Sequence, residues 1–184
     1  MSDINTILAY IRQRRSNHLL IAGSAGSGKT RLVHNIANDP QLRAKAIVVA
    51  QHYHFTNRSH VNQFYYQQRF NSIDADDSAT VAEDLNKISA ASTTRTRLLQ
   101  VFGMDGRINA PLLHLSSGEH KRFQLVKAFL QQPEILLLDE PFTGMDSRSR
   151  SLLRALMTQL AAGGTQIILV CSKADCPDFI ELTH

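Results

Sequence analysis

The sequence has little of what marks several large classes of protein. Nine glycines and five prolines among 184 residues are too few for a collagen-like or low-complexity chain. Apolar runs are short, such as Ile135 to Leu138, whereas a helix that spans a bilayer needs about 20 residues. Near the N-terminus the apolar residues are separated by polar ones at helical spacing, which excludes the apolar region of a signal peptide. We therefore expect a cytoplasmic protein.

The sequence also has few cysteines and a small net charge. Cys171 and Cys176 lie five positions apart, which is neither a CxxC pair nor a disulfide framework, so we interpret them as reduced thiols. Twenty Lys and Arg against 16 Asp and Glu give a net charge of +4. This mild excess suits a polyanion such as a nucleotide, but by itself it does not imply DNA or RNA. Much of it lies on two predicted solvated helix faces, which carry Arg12, Arg14, Arg15, Arg148, Arg150 and Arg154.

The chain does have enough apolar sequence for one domain, since 43% of its residues are hydrophobic and 20% are charged. Short, wholly apolar runs alternate with helical patterns, and this predicts an α/β fold in which helices flank a mainly parallel sheet. The predicted strands are 18–22, 46–50, 134–138 and 166–171. The predicted helices are 1–15, 29–38, 117–132 and 147–162. Residues 72–114 predict a helical subdomain within a single domain over 1–184.

A Gly-rich segment after the first predicted strand matches the phosphate-loop (P-loop) pattern G-x-x-x-x-G-K-[ST]. It consists of Gly23, Ser24, Ala25, Gly26, Ser27, Gly28, Lys29 and Thr30. Glycines allow positive φ angles, so consecutive backbone N–H groups can surround phosphate oxygens at the positive end of the following helix. Lys29 would place its charge between the β- and γ-phosphates, and Thr30 its hydroxyl on Mg²⁺. A chance match in a flexible loop is the alternative, but the position between a strand and a helix favours nucleotide binding.

Two adjacent carboxylates follow the third predicted strand. Asp139 would hold Mg²⁺, and Glu140 would polarise the water that attacks the γ-phosphate. An acidic pair after an apolar strand is common, so alone it is a weak signal. Together with the phosphate loop, it predicts ATP hydrolysis, with Glu140 and Lys29 as catalytic residues.

The segment Leu115-Ser116-Ser117-Gly118-Glu119 lies just before that strand, with one helix between. With the phosphate loop and the acidic pair, it resembles the ATP-binding cassette (ABC) ATPases, whose signature is L-S-G-G-Q. The resemblance implies a P-loop NTPase fold and a dimer in which one subunit's signature covers the ATP held by the other's P-loop. Ser116 and Gly118 would then contact the γ-phosphate from a helix N-terminus. A plain capping box between Ser116 and Glu119 is the alternative, and the two readings are compatible.

Two further segments fit the same family. Gln67 or Gln68 stands where these ATPases carry a glutamine that reaches Mg²⁺, and the preceding pair of tyrosines favours Gln67 as a catalytic and metal-binding residue. The segment 143–146 resembles the family's D-loop, in which Asp146 would contact the partner subunit. The resemblance thus covers nearly the whole chain after residue 18.

The sequence departs from the family at the end of the last predicted strand, where these ATPases carry a histidine that contacts the γ-phosphate. Ser172 occupies this position, so we expect it to face the nucleotide without a histidine's charge, and the hydrolysis rate stays open. The C-terminal half most resembles the ATP-binding proteins of the molybdenum-transport and photorepair type. Only 22 residues precede Gly23, so we expect a reduced antiparallel N-terminal lobe and a short or truncated cassette. Tyr10 is a candidate to stack on adenine, although packing in the core is favoured.

Three functions remain open, all with ATP and Mg²⁺ as cofactors. The first is an ATP-hydrolysing subunit that acts as a head-to-tail dimer with a second ABC domain and energises a membrane permease, peripherally at the inner face of the membrane. The second is a soluble cassette of the DNA-repair or translation type, which the small net charge slightly disfavours. The third is a nucleotide-binding regulatory module with low turnover, which Ser172 favours.

Overall fold

The computed structural model describes residues 4–13, 18–23, 26–50 and 79–180. These residues form two compact units, one from the described parts of 1–51 and 132–184, the other from those of 52–131. The first unit contains a sheet and the helices that cover it, and the second is helical.

The first unit is built on a sheet of four parallel strands. These are β1 (Leu19–Ile21), β2 (Ala46–Val49), β3 (Ile135–Asp139) and β4 (Gln166–Val170), in the spatial order β1-β4-β3-β2. In the register, Leu20 pairs with Leu169 and Leu137 with Ile168. All four predicted strands are therefore present, and the prediction of a parallel α/β sheet is confirmed.

Burial explains why two of these strands carry unbroken apolar runs. Every residue of β3 and β4 is buried, since each of these strands has a neighbour on both sides. A strand buried on both faces gains nothing from alternation with polar residues, so its sequence is apolar throughout. The edge strands β1 and β2 are only partly buried.

Helices α1 (Ile4–Gln13), α2 (Lys29–Ala37) and α6 (Ser147–Ala162) belong to the same unit. Apolar residues of α1 and α2 form one cluster with alternate residues of the strands; its buried members are Ile11, Val33, Ile36, Leu42, Ile135, Leu137, Ile168 and Val170. An ion pair between Arg12 and Asp39 ties the end of α1 to the turn after α2. Helix α6 packs against β4 and buries Leu153 and Met157.

The second unit contains α3 (Val81–Leu85), α4 (Ser92–Val101) and α5 (Ser117–Gln131). A capping box starts α3, because Thr80 accepts from the Glu83 N–H and the Glu83 carboxylate accepts from the Thr80 N–H at 2.9 Å. An ion pair between Asp84 and Lys127 joins α3 to α5, and α4 packs on α5.

Two sequence expectations about composition can be compared with the structure. Among the described residues no helix is both long and apolar enough to cross a membrane. Cys171 and Cys176 are both free thiols, and burial raises the pKa of Cys171 to about 12, which keeps this thiol protonated and unreactive.

The central strand position of Leu137 generates a stability prediction. Leu137 is fully buried in β3, so Leu137→Ala should lower the free energy of unfolding by about 2–5 kcal/mol through lost burial and a residual cavity. Ser151→Ala, at an exposed position of α6, is the control and should change it by less than about 0.5 kcal/mol. Urea denaturation followed by circular dichroism measures both, and equal losses would contradict the placement of Leu137.

Candidate functional site

Three predicted site segments leave the sheet at the same edge. The phosphate loop follows β1, the acidic pair Asp139-Glu140 closes β3, and Ser172 lies just after β4. Strand β4 lies between the other two, and Val170 pairs with both Ile21 and Asp139. Because carboxyl ends of parallel strands meet at one edge, the fold brings these three segments side by side.

The phosphate loop has a backbone that requires glycine at particular positions. Gly26 and Gly28 have φ angles of 77° and 86°, in the left-handed region that side chains disfavour. A Cβ on Gly23 would lie 2.8 Å from the Ser27 hydroxyl, so a larger residue there would require the Ser27 side chain to move. Lys29 folds back across the loop, and its Nζ donates to the Gly23 carbonyl at 2.9 Å. This hydrogen bond places the Lys29 ammonium group beside the first residue of the segment.

Helix α2 begins directly after this loop. Its N-cap is Gly28, which has no side chain to accept from the first N–H groups of the helix. Those donors and the positive end of the helix dipole therefore suit an anion that enters the loop. Thr30, in the first turn of α2, is exposed.

The acidic pair occupies two different environments. Asp139 is the last residue of β3 and is only 1% exposed, while Glu140 is half-buried. Glu140 has a φ angle of 47°, rare for a residue with a long side chain, and its N–H donates to the Val170 carbonyl at 2.9 Å. The two carboxylates thus differ in burial, although they are adjacent in the chain.

The donor types at this edge fit a magnesium ion. Mg²⁺ is usually bound through one or two carboxylates together with substrate phosphates and water. The Asp139 carboxylate and the Thr30 hydroxyl are hard oxygen ligands of this kind. Within the described ranges no group of three or more His, Cys, Asp or Glu side chains could hold a metal ion, so a dedicated all-protein metal cage does not occur there.

Ser172 has a partner that the sequence did not indicate. Its hydroxyl donates to Oδ2 of Asp175 at 3.0 Å, and the other Asp175 oxygen accepts from Arg150 of α6. Arg150 in turn donates through Nε to the Met145 carbonyl at 3.1 Å. We call these four residues the Asp175 network. It links the position after β4 to the segment that precedes α6.

Two of the arginines expected on a solvated face of α6 therefore have specific contacts. Arg154 approaches Asp175 at 3.4 Å and stacks over the Phe142 ring at 5.1 Å, and both Arg150 and Arg154 have side chains that are 34% exposed. Their four-residue spacing places them on one helix face. Arg148, the third member of that group, is exposed as expected.

Asp146 ends the segment 143–146 and is the N-cap of α6. Its carboxylate accepts from the Ser149 N–H at 2.7 Å and from the Ser149 hydroxyl at 3.2 Å. The backbone hydrogen bond from Ser149 lowers the pKa of this exposed carboxyl below its usual value. Helix capping is thus a structural role for Asp146; the expected contact with a partner subunit stays a prediction.

The signature segment forms the capping box that its spacing indicated. The Ser116 N–H donates to Glu119 at 2.8 Å, and the Glu119 N–H donates to the Ser116 hydroxyl oxygen at 3.3 Å. The second Glu119 oxygen accepts from Arg107 at 2.7 Å. The Ser116 backbone bond and then the Arg107 guanidinium hold the pKa of Glu119 down at about 2, although partial burial raises it. Ser116 and Gly118 are exposed at the start of α5.

Three predicted site residues, Ser24, Ala25 and Gln67, lie outside the described residues, as does the alternative Gln68. Tyr10 is half-buried on α1. Sequence reasoning missed Asp175, Arg150 and Arg107, because each acts through a pairing 12 to 25 positions away along the chain. The available signals were the acidic residue three positions after Ser172 and the i, i+4 arginines of α6.

His120, next to the signature, generates a pH prediction. It is 2% exposed, and burial lowers its pKa to about 4, against an opposing effect of Glu119. The folded state disfavours the charged imidazole, whereas the unfolded chain accepts the proton near pH 6.5. The contribution of buried, neutral His120 to the free energy of unfolding is therefore fully present above pH 6.5 and is lost as the pH falls toward 4. Between pH 7 and pH 5 the free energy of unfolding should drop by about 2 kcal/mol more in the native chain than in His120→Leu.

The control for this prediction is the exposed His114, since His114→Gln should retain the native pH dependence. Urea unfolding at pH 5, 6 and 7 measures all three proteins. Parallel curves for the native chain and His120→Leu would contradict the prediction.

Relatives of the chain are ABC ATP-binding proteins of several kinds. It is 27% identical over 199 residues to the ABC transporter ATP-binding protein ModF of Escherichia coli K12. This alignment covers 98% of this chain but only 39% of ModF. It is 27% identical over 184 residues to the lipoprotein-releasing system ATP-binding protein LolD 1 of Chlorobium luteolum. That alignment covers 89% of this chain and 72% of LolD 1. The molybdenum-transport type expected from the sequence is thus one of several.

The fold is also found in solved structures. The dimeric structure of MJ0796, a bacterial ABC transporter cassette, matches with a TM-score of 0.62 and 18% identity over 90% of this chain and 79% of that one. At this identity the likeness shows the P-loop NTPase cassette fold alone. A family model described as ABC transporter matches residues 11–143, which include the P-loop, the signature and the acidic pair. The chain belongs to the ABC transporter family.

Proposed function

We propose that the protein is an ATP-hydrolysing ABC subunit that works as a head-to-tail dimer. The observation that carries this proposal is the meeting of three strand ends at one edge of the sheet. Strand β4 lies between β1 and β3, so the phosphate loop and the acidic pair adjoin each other across a single strand. Family membership supports ATP binding and hydrolysis.

In this proposal each described residue has one task at the nucleotide. The loop N–H groups and Lys29 bind the phosphates, and the glycines at 23, 26 and 28 give the loop its shape. Thr30 and Asp139 would hold Mg²⁺, which supplies charge neutralisation at the β- and γ-phosphates. Glu140 would orient the attacking water. Gln67 keeps its proposed role near the metal.

The composite site needs a second copy of the chain or a second ABC domain. Ser116 and Gly118 stand exposed at the N-terminus of α5, where N–H groups and a hydroxyl can meet a phosphate of the opposite subunit. We propose transport through a permease as the process that is energised, because curated relatives are named for transport, such as an iron import protein of Pseudomonas fluorescens. A cytoplasmic location at the membrane's inner face belongs to the same proposal.

A second candidate is a nucleotide-binding module with slow turnover. The Ser172 hydroxyl proton points to Asp175, so in this arrangement Ser172 offers the nucleotide only oxygen lone pairs. A phosphate, itself an acceptor, gains nothing from that oxygen. This observation favours slow hydrolysis without affecting binding.

The dimer is tested with Glu140→Gln, which leaves the phosphate loop intact and removes the carboxylate that would orient water. With ATP this variant should elute from gel filtration as a dimer, because nucleotide is bound but not consumed. Lys29→Ala in the same background should remain monomeric, since it loses the phosphate cation. In the native chain, ATPase activity per subunit should rise with protein concentration. Activity that is constant across a hundredfold dilution, with no ATP-dependent dimer, would refute the proposal.

Ser172 provides a separate prediction. Because its proton is donated to Asp175, Ser172→Ala should change the ATPase rate by less than about threefold. Removing a group that donates directly to the developing charge typically costs about a hundredfold or more. A loss of that size, with unchanged ATP affinity, would show that Ser172 contacts the phosphate directly.

A further inference from the structure

The signature segment carries a negative charge where the ABC pattern has a neutral glutamine. Glu119 is ionised at physiological pH, because the Ser116 N–H and the Arg107 guanidinium hold its pKa at about 2. Its side chain is 12% exposed, and its two oxygens have separate partners: one accepts from Ser116 and the other from Arg107. The carboxylate is therefore fixed in one orientation at the N-terminus of α5.

An ionised carboxylate at this place conflicts with the proposed function. In the ATP-bound dimer, Ser116 and Gly118 approach the γ-phosphate of the opposite subunit, and Glu119 lies one to three residues further along the same helix turn. A like charge that close to a polyphosphate opposes binding unless another charge cancels it. Arg107 is the residue that the structure provides, with Nε at 2.7 Å from the carboxylate.

Arg107 can cancel the charge of Glu119 without taking the place of Ser116 and Gly118 at the phosphate. It ends the 3-10 helix Asp105–Arg107 in the same compact unit, and its side chain is 54% exposed. Its ion pair with Glu119 leaves Ser116 and Gly118 exposed at the start of α5.

We infer that Arg107 is a positioning residue of the signature segment: it neutralises Glu119 and fixes it in the capping box, so that Ser116 and Gly118 can receive the triphosphate bound by a second copy. This inference rests on the proposed ATP-bound dimer. It assigns no contact between Arg107 and the nucleotide, and it makes the effect of Arg107 depend on the charge of Glu119.

The test uses the full chain carrying Glu140→Gln, with ATP-dependent dimerisation measured by analytical ultracentrifugation. Adding Arg107→Ala should weaken dimerisation by about tenfold, because Glu119 is then an uncompensated charge. Adding Glu119→Gln to that variant should restore dimerisation to within about twofold of the parent, since no charge remains to be cancelled. Arg97→Ala, which removes an exposed arginine of α4 in the same unit, is the matched control and should have no effect.

Ionic strength provides a second readout of the charge effect, beside the rescue by Glu119→Gln. The defect of Arg107→Ala should shrink as the ionic strength rises from about 0.05 to 0.5 M, because screening weakens the repulsion. Thermal unfolding of each variant checks that the chain still folds.

The outcomes separate the two proposals. A parent that stays monomeric with ATP overturns both the dimer and the role of Arg107. A parent that dimerises while Arg107→Ala has no effect, or has an effect that Glu119→Gln does not rescue, overturns the inference alone.

Discussion

The candidate site depends on one constraint, the parallel pairing of β4 with β1 on one side and β3 on the other. Val170 is paired with the last residue of β1 and with Asp139, so the strand ends are held within neighbouring positions of one edge. Each loop that leaves this edge carries a different chemical group: backbone donors and a lysine, two carboxylates, and a serine. A one-residue slip would turn Asp139 to the other face of the sheet.

Two of the positions that depart from the ABC pattern share a physical arrangement. Ser172 replaces the family's histidine and Glu119 replaces its glutamine. Each of the two forms a hydrogen bond with a charged residue of its own unit. Asp175, itself held by Arg150, takes the Ser172 proton, while Arg107 takes the Glu119 charge. In both cases an arginine that is about one third to one half exposed balances the carboxylate. At these two positions the replacement of a family residue is thus accompanied by a local ion pair.

The sequence was sufficient for features that local patterns determine. The apolar runs of β3 and β4 locate the central strands to within a residue, since burial on both faces removes polar residues from them. The capping box of Ser116 and Glu119 follows from a spacing of three. The pairings of the Asp175 network and of Arg107 were not predictable, although the spacing of Ser172 and Asp175 and of the α6 arginines was a signal for the first. They depend on how a strand end meets a helix and how a turn meets another helix, which spacing along the chain does not reveal.

Glu140 has a consequence for how this chain can vary. Its φ angle of 47° costs a residue with a Cβ about 1 kcal/mol, whereas glycine or asparagine would occupy the turn with less strain. Mutational drift without selection would therefore move this position toward the residues that relieve the strain. A population of homologous sequences that keeps glutamate there bears a recurring stability penalty. Under the proposed role of Glu140 in orienting water, chains that have lost hydrolysis should show glycine or asparagine at this turn.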